Sequence, residues 1–198
     1  MRTFRRIAAL PLIVVALVSA APPALAAADT AVVVVNTTDD TYAWKDALRI
    51  TRSNGDVVDE ANGAAAVSSC ERCRTAAIAF QVLLATGTAT TVTDDNVAIA
   101  LNQGCDACAT YAGAFQLIVT THTQVRFTES GNSRIDAIRA ELQSLTASAT
   151  FTNDVSDLDA FNEEVAALFD RLVAVVRAEV VRVGGGTLDT AVDVQEVV

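Results

Sequence analysis

Residues 30–36 read Thr-Ala-Val-Val-Val-Val-Asn, a β-branched run closed by the turn-prone Thr37-Thr38-Asp39-Asp40. Residues 41–52 carry Tyr42, Trp44, Leu48 and Ile50 and end at Ser53-Asn54-Gly55-Asp56. Two such runs around a polar turn predict a β-hairpin. A helical second arm is the alternative, since Trp44, Ala47 and Leu48 also fit a 3.6-residue period.

From Val57 the apolar stretches become alanine-rich and predict helices. Asp59 and Glu60 suit the positive end of a helix dipole. Ser68 and Glu71 have capping-box spacing, with Ser68 as N-cap, so a second helix is expected from there to Gly87. Thr93 is the expected N-cap of a third helix and Gly104 its stop, with a fourth running from Tyr111 to Val119.

Residues 124–127 predict a short strand or an extended connector. Ile135, Ile138, Leu142 and Leu145 then recur at spacings of three and four, with Arg134, Arg139 and Glu141 off the stripe: an amphipathic helix. After a polar link over 146–152, a longer stripe follows through Leu158, Phe161, Val165, Leu168, Leu172 and Val176. Asp154, Asp157 and Asp159 lie near its start and Arg177 and Arg182 near its end, and Gly184-Gly185-Gly186 stops it.

The sequence repeats itself. Cys70-Glu71-Arg72-Cys73 and Cys105-Asp106-Ala107-Cys108 align at an offset of 35 residues, together with Ala77, Ala79, Phe80 and Gln81 against Ala112, Ala114, Phe115 and Gln116. A match without gaps predicts internal duplication, with units over about 57–86 and 92–121. The expected fold class is mainly α: a helical bundle of the duplicated CxxC helix-pair unit, an αα-hairpin over about 129–183, a small N-terminal β-hairpin and a flexible tail over 184–198. Alternating helix directions would bring both cysteine pairs to the same end of the bundle.

The N-terminus changes the setting. Arg2, Arg5 and Arg6, an uncharged run over 7–21, Pro22-Pro23 and Ala24-Leu25-Ala26 form a secretory signal peptide over 1–26. The apolar run is short for a bilayer span, which takes about 20 residues, so membrane contact is expected only transiently, through this peptide. Residues 27–183 are then a single exported domain, secreted or extracytoplasmic. Paired arginines also fit twin-arginine export. All three prolines of the 198-residue chain lie in the leader. The net charge of −10 grows more negative once the leader's three arginines are removed, which disfavours nucleic acid and anionic lipid surfaces as partners.

Four cysteines in an exported chain point to disulfides at Cys70, Cys73, Cys105 and Cys108. Each CxxC pair could close locally, or the pairs could cross between the units. Crossed bonds close loops of about 36 residues instead of about 4 and constrain the unfolded chain by roughly 2 kcal/mol more per bond. Two other chemistries compete. A thiol-disulfide oxidoreductase would use a CxxC at a helix start, but Glu71 and Asp106 between the cysteines disfavour a thiolate, offset in part by Arg72 and Arg74. A four-cysteine zinc site has the right ligands, and oxidation outside the cytosol competes with it.

His122 is the only histidine, so HExxH is absent. Asp94-Asp95 and Glu163-Glu164 read as dipole and solvation residues rather than an acid-base pair, and Asn36-Thr37-Thr38 matches a glycosylation sequon. Gly184-Gly185-Gly186 follows a helix instead of opening one, a poor phosphate cradle. No catalytic residue, metal or cofactor is expected.

Over about residues 31–145, and most specifically in residues 68–82 and 102–108 with their double CxxC, the chain resembles the extracytoplasmic C-terminal region of actinobacterial membrane proteins labelled peptide zinc metalloproteases. Only the four cysteines match position by position. The HExxH and membrane core that would carry proteolysis are missing here. The resemblance implies an exported module that meets a protein or peptide partner at the cell envelope.

Overall fold

The computed structural model describes residues 30–54, 57–87, 91–183 and 191–197. The signal peptide expected over 1–26 and the run Gly184-Gly185-Gly186 lie outside the described residues.

The valine run and the Tyr42 segment form strands β1 (Thr30–Asn36) and β2 (Tyr42–Ser53). They do not make the expected hairpin. β1 pairs in parallel with β3 (Val57–Ser68), and β2 pairs in parallel with β4 (Arg74–Thr86). β5 (Thr91–Asn102) continues the first sheet beside β3, and β6 (Ala109–Thr121) continues the second beside β4. The chain thus winds through three coils, each giving one strand to a β1-β3-β5 sheet and the next to a β2-β4-β6 sheet.

This overturns the mainly α bundle. The described residues hold nine strands and two helices, so the description "helical" fails with it. The four expected CxxC-unit helices are β3 to β6; Asp59, Glu60 and Thr93 lie within strands, and the Asp94-Asp95 pair falls in β5. The reason lies in β4, which is covered on both sides. Ile78, Phe80, Val82 and Leu84 face the helical layer, while Ala77 and Ala79 face Val32, Val34, Ala64 and Ala66 of the first sheet. A strand buried on both faces loses the polar-apolar alternation that would mark it. Alanine's preference for helix yields to close sheet-on-sheet packing. The gap is narrow enough for Asn62 Nδ2 to reach the carbonyls of Ala79 and Phe115 on the opposite sheet, 3.2 Å each, and Asn96 Oδ1 at 2.8 Å. Gln116 Nε2 donates to Gln81 Oε1 at 2.7 Å in the same interior. Like residues in successive coils thus share one amide-to-amide hydrogen bond per pair, while Asn62 Oδ1, Gln81 Nε2 and Gln116 Oε1 are left without a partner.

The repeat has more copies and a less regular period than the cysteines indicate. β1-β2 is a first coil, 32 residues ahead of the second, as the pairs Thr30 with Asn62 and Tyr42 with Arg74 show. β3 meets β5 at an offset of 34, while β4 meets β6 at 35. The gapless register therefore slips by one residue in the turn, where Gln103-Gly104 stand against Ser69. Gly104, at φ 58°, takes up the extra residue.

Helices α1 (Glu129–Ser148) and α2 (Val155–Glu179) form the third layer. Ile135, Ile138 and Leu142 of α1 and Phe161, Val165, Leu168, Phe169 and Leu172 of α2 bury against the outer face of the second sheet, where Phe169 meets Phe80 and Phe115 at ring distances of 5.0 and 5.3 Å. Thr128 and Asp154 cap the two helices through their side chains. At the open end of the hairpin, β7 (Val125–Phe127) pairs antiparallel with β8 (Val180–Arg182). Within the segment expected as a tail, β9 (Ala191–Val197) lies antiparallel on β6 and covers that edge of the second sheet. No helix among the described residues is long and apolar enough to cross a membrane.

Candidate functional site

The turns 36–42, 68–74 and 102–109, each leading from the first sheet to the second, stack at one end of the coils. Backbone bonds tie them together: Asp40 N–H to Glu71 O at 3.0 Å, Arg72 N–H to Asp106 O at 2.8 Å, and Ala109 N–H to Cys73 O at 3.1 Å. Each turn contains one left-handed residue other than glycine, Asp40, Arg72 and Ala107, at φ 58°, 53° and 54°.

Beneath the turns runs a polar spine. Asn36 Nδ2 donates to Thr41 O and Arg74 O, and its Oδ1 accepts from Thr41 Oγ1. Asn36 is buried, so the sequon places its amide inside the molecule. Ser68 does not cap a helix; its hydroxyl lies 2.6 Å from those of both Thr75 and Thr110.

All four cysteines come together here, at one end as expected, though of a β-stack. Cys70 is joined to Cys73 and Cys105 to Cys108, each with Cα atoms 5.9 Å apart. Thr38 and Thr41 hold the same positions in the first coil, and there Thr41 Oγ1 donates to Thr38 O at 2.7 Å in place of a covalent bond. Cys70, Cys73 and Cys108 are buried, and Cys105 is partly exposed. The two bonds touch, with Cys73 Sγ 3.2 Å from Cys108 Sγ.

The electrostatics oppose a thiolate. Asp39, Asp40, Glu71 and Asp106 are exposed around the turns. Arg72 binds Asp40, which holds the Asp40 carboxyl below its usual range and raises the guanidinium of Arg72. Arg74 leaves the cysteines altogether: its Nη1 donates to Ala149 O at 2.7 Å and its guanidinium stacks 4.8 Å from the Tyr42 ring centre. Carbonyl oxygens close in as well, Asn36 O at 3.1 Å from Cys70 Sγ and Cys70 O at 2.9 Å from Cys108 Sγ. Neither arginine counted as an offset is thus committed to a sulfur. For a metal, the sulfurs of Cys70, Cys73 and Cys108 lie within 4.8 Å of one another. All are spent in S–S bonds in this structure, so thiolate ligands would arise only on reduction.

The other candidates do not join the site. His122 is exposed in the turn before β7, and Glu163 and Glu164 are exposed on α2. The sequence marks a turn at Thr37 to Asp40 but not its place in the site, where Asn36, Asp39, Asp40 and Thr41 stack on the cysteine turns. An alignment at an offset of 32, with threonines allowed against cysteines, would have found it. Comparison with family models, with curated proteins and with solved structures found no match to this chain.

Proposed function

We propose that this is an exported, non-catalytic structural or partner-binding module whose CxxC pairs are staples and carry no redox activity toward a substrate. The observation that carries the reading is the closure of both pairs at corresponding turns of the stack, with three of the four cysteines buried and acidic side chains around them. Each bond occupies the place that a threonine hydrogen bond fills in the first coil. The leader places the module outside the cytoplasm, in line with the envelope setting of the resemblance. The outer face of the first sheet supports association with a protein or peptide there: Val33, Ala65 and Ile99 form one in-register row and Val35, Val67 and Leu101 the next. Val33 and Leu101 are among its exposed members.

The test is thiol counting followed by melting. The mature protein is expected to show no free thiol before reduction and to lose about 2 kcal/mol per bond when reduced. Rapid reduction by a thioredoxin-like donor with no loss of stability would reject the staple in favour of an oxidoreductase.

A further inference from the structure

We propose that Cys105 is the entry point of an internal thiol-disulfide exchange that converts the two local bonds into two bonds between coils, Cys70–Cys105 and Cys73–Cys108. The inference rests on the disulfide reading above and adds a second covalent state to it.

Two observations carry it. The sulfurs of Cys73 and Cys108 belong to different disulfides yet lie 3.2 Å apart. The backbones that hold them run in register, with Glu71 bridged in parallel to Asp106 and Ala109 N–H bonded to Cys73 O. Neighbouring parallel segments lie about 4.8 Å apart, within the Cα separation that a disulfide spans. The same backbone therefore accommodates either pairing.

Exposure sets the order of events. Cys105 is the partly exposed cysteine, and the other three are buried. The thiolate of a small external thiol attacks Cys105 Sγ; a mixed disulfide forms there and Cys108 leaves as thiolate. Cys108 attacks Cys73 across the short contact, so the Cys73–Cys108 bond forms, the Cys70–Cys73 bond breaks and Cys70 leaves as thiolate. Cys70 then attacks Cys105, forms the Cys70–Cys105 bond and returns the external thiolate. Two disulfides precede the exchange and two follow it, with no net transfer of electrons or protons. The new bonds close loops of about 36 residues instead of about 4, so they constrain the unfolded chain more. Asp39, Asp40, Glu71 and Asp106 around the turns favour a cationic thiol over an anionic one.

The experiment incubates the oxidised protein with a catalytic amount of 2-aminoethanethiol, blocks it with an alkylating agent, and digests it unreduced with trypsin and Asp-N protease. Cleavage after Arg72 separates Cys70 from Cys73, and cleavage before Asp106 separates Cys105 from Cys108. Fragments joining Cys70 to Cys105 and Cys73 to Cys108 are expected to accumulate, with a rise in melting temperature. A single pairing that is identical before and after thiol treatment, whichever it is, overturns the exchange. In Cys105→Ser, the alkylation label is expected to shift from Cys108 to Cys70, and a label confined to Cys108 overturns it equally. Free thiols in the untreated protein would instead sink the disulfide reading itself, and the exchange with it.

Discussion

The guanidinium of Arg72 holds the carboxylate of Asp40 through two hydrogen bonds of 2.8 Å, Nε to Oδ1 and Nη2 to Oδ2, and the two residues occupy the same left-handed position in successive turns. The pair links the first coil, which has no cysteines, to the second, much as the touching disulfides bring the second against the third. Both side chains are more than half exposed, so the link orients the turns more than it stabilises the fold.

Its pH dependence follows from the direction of the shift. Hydrogen bonding to Arg72 lowers the Asp40 pKa below 3.8. A depressed folded-state pKa contributes stability that is present above the unfolded value and lost as pH falls through the folded one. The melting-temperature deficit of Asp40→Asn at neutral pH is therefore expected to vanish in acid. In Arg72→Ala, an NMR titration should place the Asp40 midpoint higher than in the parent; an unmoved midpoint would show that Arg72 is not the cause.

The third turn carries a different liability. Ala107 sits at φ 54°, which costs a residue with a Cβ about 1–2 kcal/mol relative to glycine. After the added chain entropy of glycine, Ala107→Gly is expected to stabilise the protein by about 0.5–1 kcal/mol in denaturant titration. Gly104, at φ 58° with open space where a Cβ would stand, should respond oppositely, Gly104→Ala costing about 1 kcal/mol. Equal signs for the two variants would contradict this account of the turn.

Tyr42 ties the edge strand β2 to the end of α1, its hydroxyl donating to Thr146 O at 2.6 Å. Burial, the largest influence, raises its pKa above the ordinary 10.0. For an acid this favours the neutral form in the folded state, so the contribution is full below the unfolded value and lost as pH rises from there toward the folded one. Stability is expected to fall above about pH 10, together with the appearance of tyrosinate absorbance. Tyr42→Phe should start about 1 kcal/mol less stable at neutral pH and show a shallower alkaline decline.

Much of the site was legible and little of the sheet fold was. The offset between Cys70-Cys73 and Cys105-Cys108 identified a duplication, whereas their common end follows from the parallel coils and not from the alternating helix directions expected above. The stripes through Ile135 and Leu142 and through Phe161, Leu168 and Leu172 marked α1 and α2, because a helix covering a sheet on one side keeps its period. The runs 76–85 and 111–119 kept none. Ser68 and Glu71 had the spacing of a capping box by coincidence: Ser68 ends β3, and Glu71 sits in the turn bridged to Asp106.

By itself the sequence determined the duplicated CxxC pairs and the amphipathic hairpin, since each is written in local spacing; that the cysteines stand in turns between two sheets and not at helix starts was decided by the stack of coils. Whether the alanine-rich runs were helix or strand was decided only by tertiary structure. Alanine favours helix by a few tenths of a kcal/mol per residue over the β-branched residues beside it. That preference is outweighed when β3 and β4 each gain parallel ladders on both edges, and β4 is enclosed between the first sheet and the helices. Those partners lie 32 to 35 residues away, beyond the reach of any local pattern.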